Sequence, residues 1–217
     1  MEQFKDQNQM KITDNFTKSE KDENKIRDTI LAAYIATHCS INSIDHLNEI
    51  LRDLKFYDIQ LHRTKCTSLI KYVIASKFLR ELIEDIDAFL YSIYADKSTD
   101  VSKKKYICLC IRYFSQKKKR HLTDFLGLLE IVEADAESLY SVVLAFFNKI
   151  KLPIMNMIAL GMDGGSSLCG CNHSLYTLLK AKIPHLQLIK CVCHSLNWAA
   201  SSAADEFPSS IEFLLRE

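Results

Sequence analysis

Three prolines and five glycines among 217 residues are too few for long linkers, low-complexity tracts or disordered segments. Runs of eighteen or more apolar residues are missing, as is a charged-then-apolar segment at the start, so neither a membrane-spanning helix nor an export signal is expected. Charge of one sign is also missing: 28 Lys and Arg stand against 27 Asp and Glu, for a formal net charge of +1. No global field then draws the chain to nucleic acid or to a membrane surface, and any such binding has to come from local patches.

What is present suffices for a sizeable core, since 48% of the residues are hydrophobic and a chain of this length can bury most of its surface. Eight cysteines without an export signal are expected to be intracellular thiols, with metal binding as the main alternative to simple burial.

Residues 1–18 are polar and aperiodic and read as a flexible lead-in. Ser19 and Asp22 resemble a capping box, with Ile26, Ile30, Ala33, Tyr34 and Thr37 following at helical spacing. Ser43 caps a second helix with Ile44, Leu47, Ile50, Leu51 and Leu54 on one face. Thr64 starts a third, whose stripe is Ile70, Ile74, Phe78, Leu82 and Ile86. Residues 19–87 therefore form a helical appendage, and 88–217 a second region.

After Asp87 the period changes. Phe89 to Ala95 and the nearly unbroken apolar run Tyr106 to Phe114 read as strands, the second as an interior one. A charged turn follows at Lys117-Lys118-Lys119-Arg120, and His121 to Val132 returns as a third strand. Asp135 caps an amphipathic helix carrying Leu139, Val142, Val143, Phe146, Phe147 and Ile150, which Pro153 ends. A fourth strand over 157–162, a helix from about Asn172 to Lys182, a fifth strand from Leu186 to Cys193 and a helix from Ser195 to Ala204 complete the order. Three strands, then helix and strand in alternation, is the ribonuclease-H-like order: a mixed α/β sheet flanked by helices, with the first and fourth strands side by side.

Each of those two strands delivers a carboxylate. Asp96 follows Leu90 to Ala95, and Asp163 follows the fourth strand and is followed at once by Gly164 and Gly165, which allow a sharp turn. Strands about 5 Å apart can bring two such carboxylates to one divalent cation, and Mg²⁺ suits hard oxygen ligands. Both aspartates could equally cap turns through bonds to backbone N–H groups, and Asp100 rivals Asp96.

Asp96-Lys97-Ser98-Thr99-Asp100, Arg63-Thr64-Lys65-Cys66-Thr67, Gly161-Met162-Asp163-Gly164-Gly165-Ser166-Ser167 and Lys190-Cys191-Val192-Cys193-His194-Ser195-Leu196-Asn197 together resemble the ribonuclease-H-like region of hAT-superfamily transposases. The nearest branch is the domesticated relatives with a DUF4371-type segment, related to zinc-finger MYM and BED proteins. The resemblance runs from about Leu61 to the end of the chain. It implies that Asp96 and Asp163 are two of three metal-binding acidic residues, with Mg²⁺ or Mn²⁺ as cofactor, and that Cys191 and His194 form a Cys-x-x-His element that organises the active site and the DNA end. The family's third acid, a Glu, follows a long helical insertion; Glu206, Glu212 and Glu217 come too early to match it, which reads as C-terminal truncation. No BED-type finger precedes the domain, and Gly165 stands where the family often has Ala.

Other features admit two readings. Cys169, Cys171, His173, Cys191, Cys193 and His194 could make a zinc site, but their spacing is wrong for ribbons or fingers, and free Cys packs as a small hydrophobe. Lys117, Lys118, Lys119 and Arg120, with Lys103-Lys104-Lys105 in the preceding turn, could contact DNA phosphates or be solvated charge. Trp198 is expected in the core. The expectation is a domesticated or remnant hAT transposase-like domain, nuclear or nucleocytoplasmic and leaning to no enzyme activity, that binds nucleic acid, with DNA, a second copy or a chromatin protein as partner. The alternatives are an active Mg-dependent transposase fragment and a dimerisation or interaction scaffold without DNA binding.

Overall fold

The computed structural model describes residues 20–56, 59 and 61–206. The expected lead-in, the Ser19 cap, Glu212 and Glu217 lie outside them. The chain divides into two units, 1–81 and 82–217.

The first unit is helical: α1 (Glu20–His38), α2 (Ser43–Asp53), and α3 (Arg63–Ser68), which runs through a π-helical stretch, Leu69–Ile74, into α4 (Ala75–Ile86). Its core is Ala32, Ile35, Ile44, Ile59, Leu61 and Cys66. The buried face of α1 is therefore set by Asp28, Ala32 and Ile35, while Ile30 and Tyr34 of the expected stripe are exposed. Asp28 can turn inward because Lys65 reaches it across 2.6 Å, so a paired carboxylate takes a position that hydrophobic spacing reserves for an apolar residue. Asn48 is likewise buried, with its amide donating to the Leu61 carbonyl at 2.6 Å. Phe78, expected on the buried stripe of the third helix, is exposed; the π turn upstream shifts the phase that a uniform 3.6-residue period assumes.

The second unit is a five-stranded sheet in the order β3-β2-β1-β4-β5, formed by β1 (Tyr91–Thr99), β2 (Lys105–Ser115), β3 (Arg120–Ile131), β4 (Met157–Met162) and β5 (Gln187–Lys190). The first three form an antiparallel meander, β4 runs parallel to β1, and β5 runs parallel to β4. This is the expected mixed sheet flanked by helices. Helix α5 (Ala136–Ile150) crosses between β3 and β4. Asp135 caps it, accepting from the Ser138 N–H at 2.9 Å. Leu139, Val143 and Phe147 are buried, and the Phe147 ring stacks on Tyr91 with centroids 6.3 Å apart. The face under α5 carries Tyr91, Ile93, Ala95, Ile107, Leu109, Ile111 and Tyr113, all buried.

The other face is open. Tyr94, Phe125, Leu128 and Ile189 are 42 to 61% exposed, with Phe125 and Leu128 opposite Cys110 and Cys108 in the register. The remaining helices are α6 (Ser166–Cys169), which the sequence did not announce, α7 (Leu175–Lys182) behind a Ser174/Thr177 capping box, and α8 (Val192–Asp205). The fifth strand is shorter than expected: Cys191 is the N-cap of α8, and Cys193 lies in its first turn rather than on a strand. Trp198 lies on α8 and is 62% exposed, not in the core.

Two contacts fix the edges of this unit. Asp85 is buried and accepts from Ser115 Oγ at 2.6 Å and from the Lys117 N–H at 3.2 Å. Burial opposes its charge, but Ser115, the Lys117 N–H and ammonium, and Tyr113 outweigh that and hold its carboxyl below the usual range. Gly127, beside a bulge in the β2/β3 register, has no room for a side chain: a Cβ would stand 2.7 Å from Phe146 Cζ.

Asp85→Ala is expected to lower unfolding free energy by about 2–3 kcal/mol, the worth of hydrogen bonds to a buried charged group, read from urea denaturation. Because the folded pKa is depressed, this contribution is complete above the unfolded carboxylate pKa of about 4 and disappears as pH falls through the folded value; the variant's deficit should shrink in the same window. Gly127→Ala should cost about 1–3 kcal/mol through overpacking and recover part of it in a Phe146→Leu background.

Candidate functional site

The parallel register of β1 and β4 runs Ile93 to Leu160, Tyr94 to Gly161 and Ala95 to Met162. The next residues in the chain are Asp96 and Asp163, side by side at the carboxyl edge of β4. Asp96 does not end its strand. β1 continues to Thr99, pairing Asp96 with Cys108 on β2 after its pairing with β4 has stopped. Asp100 is the turn residue instead: its carboxylate takes the Ser102 N–H and hydroxyl, and those bonds lower its pKa.

Asp163 is half-buried and anchored. Its Oδ1 accepts from the Gly165 N–H at 3.1 Å, and its carbonyl accepts from Cys169 Sγ at 3.1 Å. Neither Gly164 nor Gly165 has a positive φ. The requirement at Gly165 is space, since a Cβ there would lie 3.0 Å from Asp163 Oδ1, whereas one at Gly164 would meet nothing within 4 Å. A family alanine at position 165 would therefore push on the carboxylate. Gly161 has a similar role, its bare backbone lying under the Tyr94 ring, where a Cβ would stand 2.7 Å from Tyr94 Cδ1. Lys97 points to the other face and donates to Ser167 Oγ at 2.8 Å, tying β1 to the turn after Asp163.

The third member comes from β5 and α8. The Cys191 N–H donates to the Met162 carbonyl at 2.8 Å, so the start of α8 sits against the end of β4. His194 bonds to the Cys191 thiol, and this contact, reinforced by the charges of Asp163 and Asp96, raises its pKa. The same contact, with the His194 backbone N–H, lowers the pKa of Cys191. Burial, the neighbouring Cys110 and then Asp96 raise that of Cys108. Asp96, Asp163, Cys191 and His194 thus share one sheet edge, and Cys108 adjoins it.

The basic residues are divided between the sheet's two ends. Lys103, Lys104 and Lys105 lie in and after the β1–β2 turn, at the end that carries Asp96, with Lys104 paired to Glu130 at 2.8 Å. The exposed turn of Lys117, Lys118, Lys119 and Arg120 follows Ser115, seven residues along β2 from Cys108, which is roughly 24 Å at strand rise. It stands at the opposite end. The cysteine and histidine residues weighed for zinc do not converge: Cys169 is buried, Cys171 and Cys193 are exposed, and His173 pairs with Glu137 at 2.8 Å.

Among the described residues no group of three or more His, Cys, Asp or Glu side chains is placed to hold a metal. Asp96 and Asp163 offer hard oxygens that fit one Mg²⁺ or Mn²⁺ retaining much of its water. They do not fit a pair of ions, which needs a further bridging or terminal carboxylate.

The Cys191 pairing has a chemical signature. Iodoacetamide is expected to alkylate Cys191 faster near neutral pH than exposed Cys39, Cys171 or Cys193, with the rate falling only as pH drops through its depressed pKa. His194→Ala should move that profile up toward the ordinary thiol value of about 8.5, as read by mass spectrometry of alkylated peptides.

Compared with known protein families, residues 43–173 match the one described as DUF4371: ZMYM1/FAM200, RNase-like domain. The match begins at the first residue of α2, includes Asp96 and Asp163, and stops before α7, β5 and the Cys191/His194 element. Covering more than half of the chain, the match agrees with the mixed α/β sheet, and the chain belongs to the DUF4371 family of RNase-like domains.

Proposed function

We propose that this chain is a domesticated hAT-transposase-derived module that binds nucleic acid in the nucleus without completing strand transfer. The observation that carries this reading is the β1/β4 register, which sets Asp96 beside Asp163 at the sheet's carboxyl edge, where α/β folds hold their ligands, while no third described side chain joins them as a metal ligand. Two carboxylates can hold a solvated ion near a phosphate. They lack the charge to steady both the attacking and the leaving oxygen of a phosphodiester.

Binding then falls to the cations. The turn 117–120 is a built feature, because Asp85 grips the Lys117 N–H and Ser115 Oγ accepts from the Lys118 N–H at 3.0 Å. A turn held from below presents its ammonium groups at little further cost in backbone entropy. Contacts of this kind read phosphate rather than base sequence. His194, cationic over a wider pH range than an ordinary histidine, adds a donor at the acidic edge.

Fluorescence anisotropy with labelled DNA across a salt series tests the reading. Replacing Lys117, Lys118, Lys119 and Arg120 by alanine should flatten the slope of log K against log salt by about 3 to 4, and Asp163→Asn should leave binding in place. Mg²⁺- or Mn²⁺-dependent nicking that is lost in Asp96→Asn would instead establish the active-nuclease alternative.

A further inference from the structure

The mechanism above leaves the first unit without a role, yet that unit holds a groove of about 380 Å³ lined by Arg63, Thr64, Thr67, Ser68, Lys71 and Tyr72. Every lining side chain carries a hydrogen-bond donor, two are cations, and none is acidic. The groove lies along one side of the α3 helix where it passes into the π-helical stretch Leu69–Ile74. On the opposite side Cys66 is buried and Leu69, Ile70 and Ile74 pack on the unit's core.

Local geometry explains the grouping. Thr64, Thr67, Ser68 and Lys71 fall at i, i+3, i+4 and i+7, one face of an α-helix. Tyr72 extends that face, at i+8 from Thr64 and i+4 from Ser68. Arg63 is held at the head of the groove, with Nη1 donating to Asn42 at 3.1 Å and Nε 3.6 Å from Asp45. A guanidinium has five donors, so these two contacts do not exhaust it. Thr67 donates to the Arg63 carbonyl at 2.8 Å. Lys71 Nζ lies 5.3 Å from the Tyr72 ring centroid, and the ring is 65% exposed.

From this juxtaposition we infer that the groove binds the backbone of a single-stranded nucleic acid, with Arg63 and Lys71 on successive phosphates, Thr64 and Ser68 donating to phosphate or sugar oxygens, and a base stacked on Tyr72. Single-strand sites combine a cationic groove with an exposed aromatic platform, and this groove has both. The inference rests on the nucleic-acid-binding reading and deepens it, giving the first unit its own contact, separate from the turn 117–120.

The test uses the full chain, a labelled single-stranded oligonucleotide and anisotropy across a salt series. Lys71→Ala should weaken binding and flatten the log–log salt slope by about 0.7, the single-strand value for one phosphate contact. Tyr72→Ala should weaken binding about tenfold, within the range for one stacked base, at unchanged slope, and Tyr72→Phe should restore it. Both side chains are exposed, and thermal melts of the variants should match the parent. If the Lys71 and Tyr72 variants bind as the parent does while the 117–120 variant does not, the groove inference falls and the module stands. If Lys71→Ala weakens binding and Tyr72→Ala does not, the stacked single strand is overturned. Absence of binding by the parent itself overturns both.

Discussion

The parallel pairing of β1 with β4 is the constraint on which the rest of the second unit depends. An antiparallel neighbour such as β2 needs only a turn, and β1–β2 is closed by Asp100 and Ser102 within a few residues. A parallel neighbour needs the chain to travel back along the whole strand, and here α5 makes the return. Phe147 stacked on Tyr91 pins the start of the register, and Gly161 under the Tyr94 ring pins its end. Because side chains alternate faces along a strand, a slip of one residue would send Asp96 or Asp163 to the α5-covered side. The acidic pair exists only as precisely as that register does.

From the same constraint follows the separation of charges. β2 runs antiparallel to β1, so whatever follows β2 emerges at the end away from Asp96. The turn 117–120 is therefore remote from the carboxylates, and the lysines at 103–105 are the ones beside them. Cations placed next to Asp96 would be partly neutralised, as Lys104 is by Glu130. At the far end Lys117 likewise has Asp85 beside it, and the turn adds Lys118, Lys119 and Arg120.

Much of this was legible in the residues. Asp135 as a cap, the α5 stripe and the succession of strands follow from spacing, because each is a local pattern, and the adjacency of β1 and β4 follows from the ribonuclease-H-like order of the elements. What was not legible depends on partners distant in sequence. The buried face of α1 turns on Lys65 reaching Asp28. The run Cys191-Val192-Cys193 fits a strand by composition, yet it leaves β5 to start α8, because β4, its partner strand, ends at Met162. A strand cannot outlast its ladder without leaving backbone groups unpaired. β1 outlasts β4 only because β2 remains alongside.

The π turn teaches the same lesson from the other unit. Its sequence, Leu69-Ile70-Lys71-Tyr72-Val73-Ile74, contains no glycine or proline to mark a break, and a 3.6-residue reading passes straight through it. The cost of the wider turn is tolerated where packing on one side is fixed: Cys66 is buried and Ile70 and Ile74 pack on the core of the first unit, so the extra residue has to be absorbed on the outer side. That is the side on which Tyr72 joins Thr67 and Lys71. The irregularity therefore leaves the outer face continuous, with Thr64, Thr67, Ser68, Lys71 and Tyr72 at i, i+3, i+4, i+7 and i+8, while the backbone beneath it widens over Leu69–Ile74.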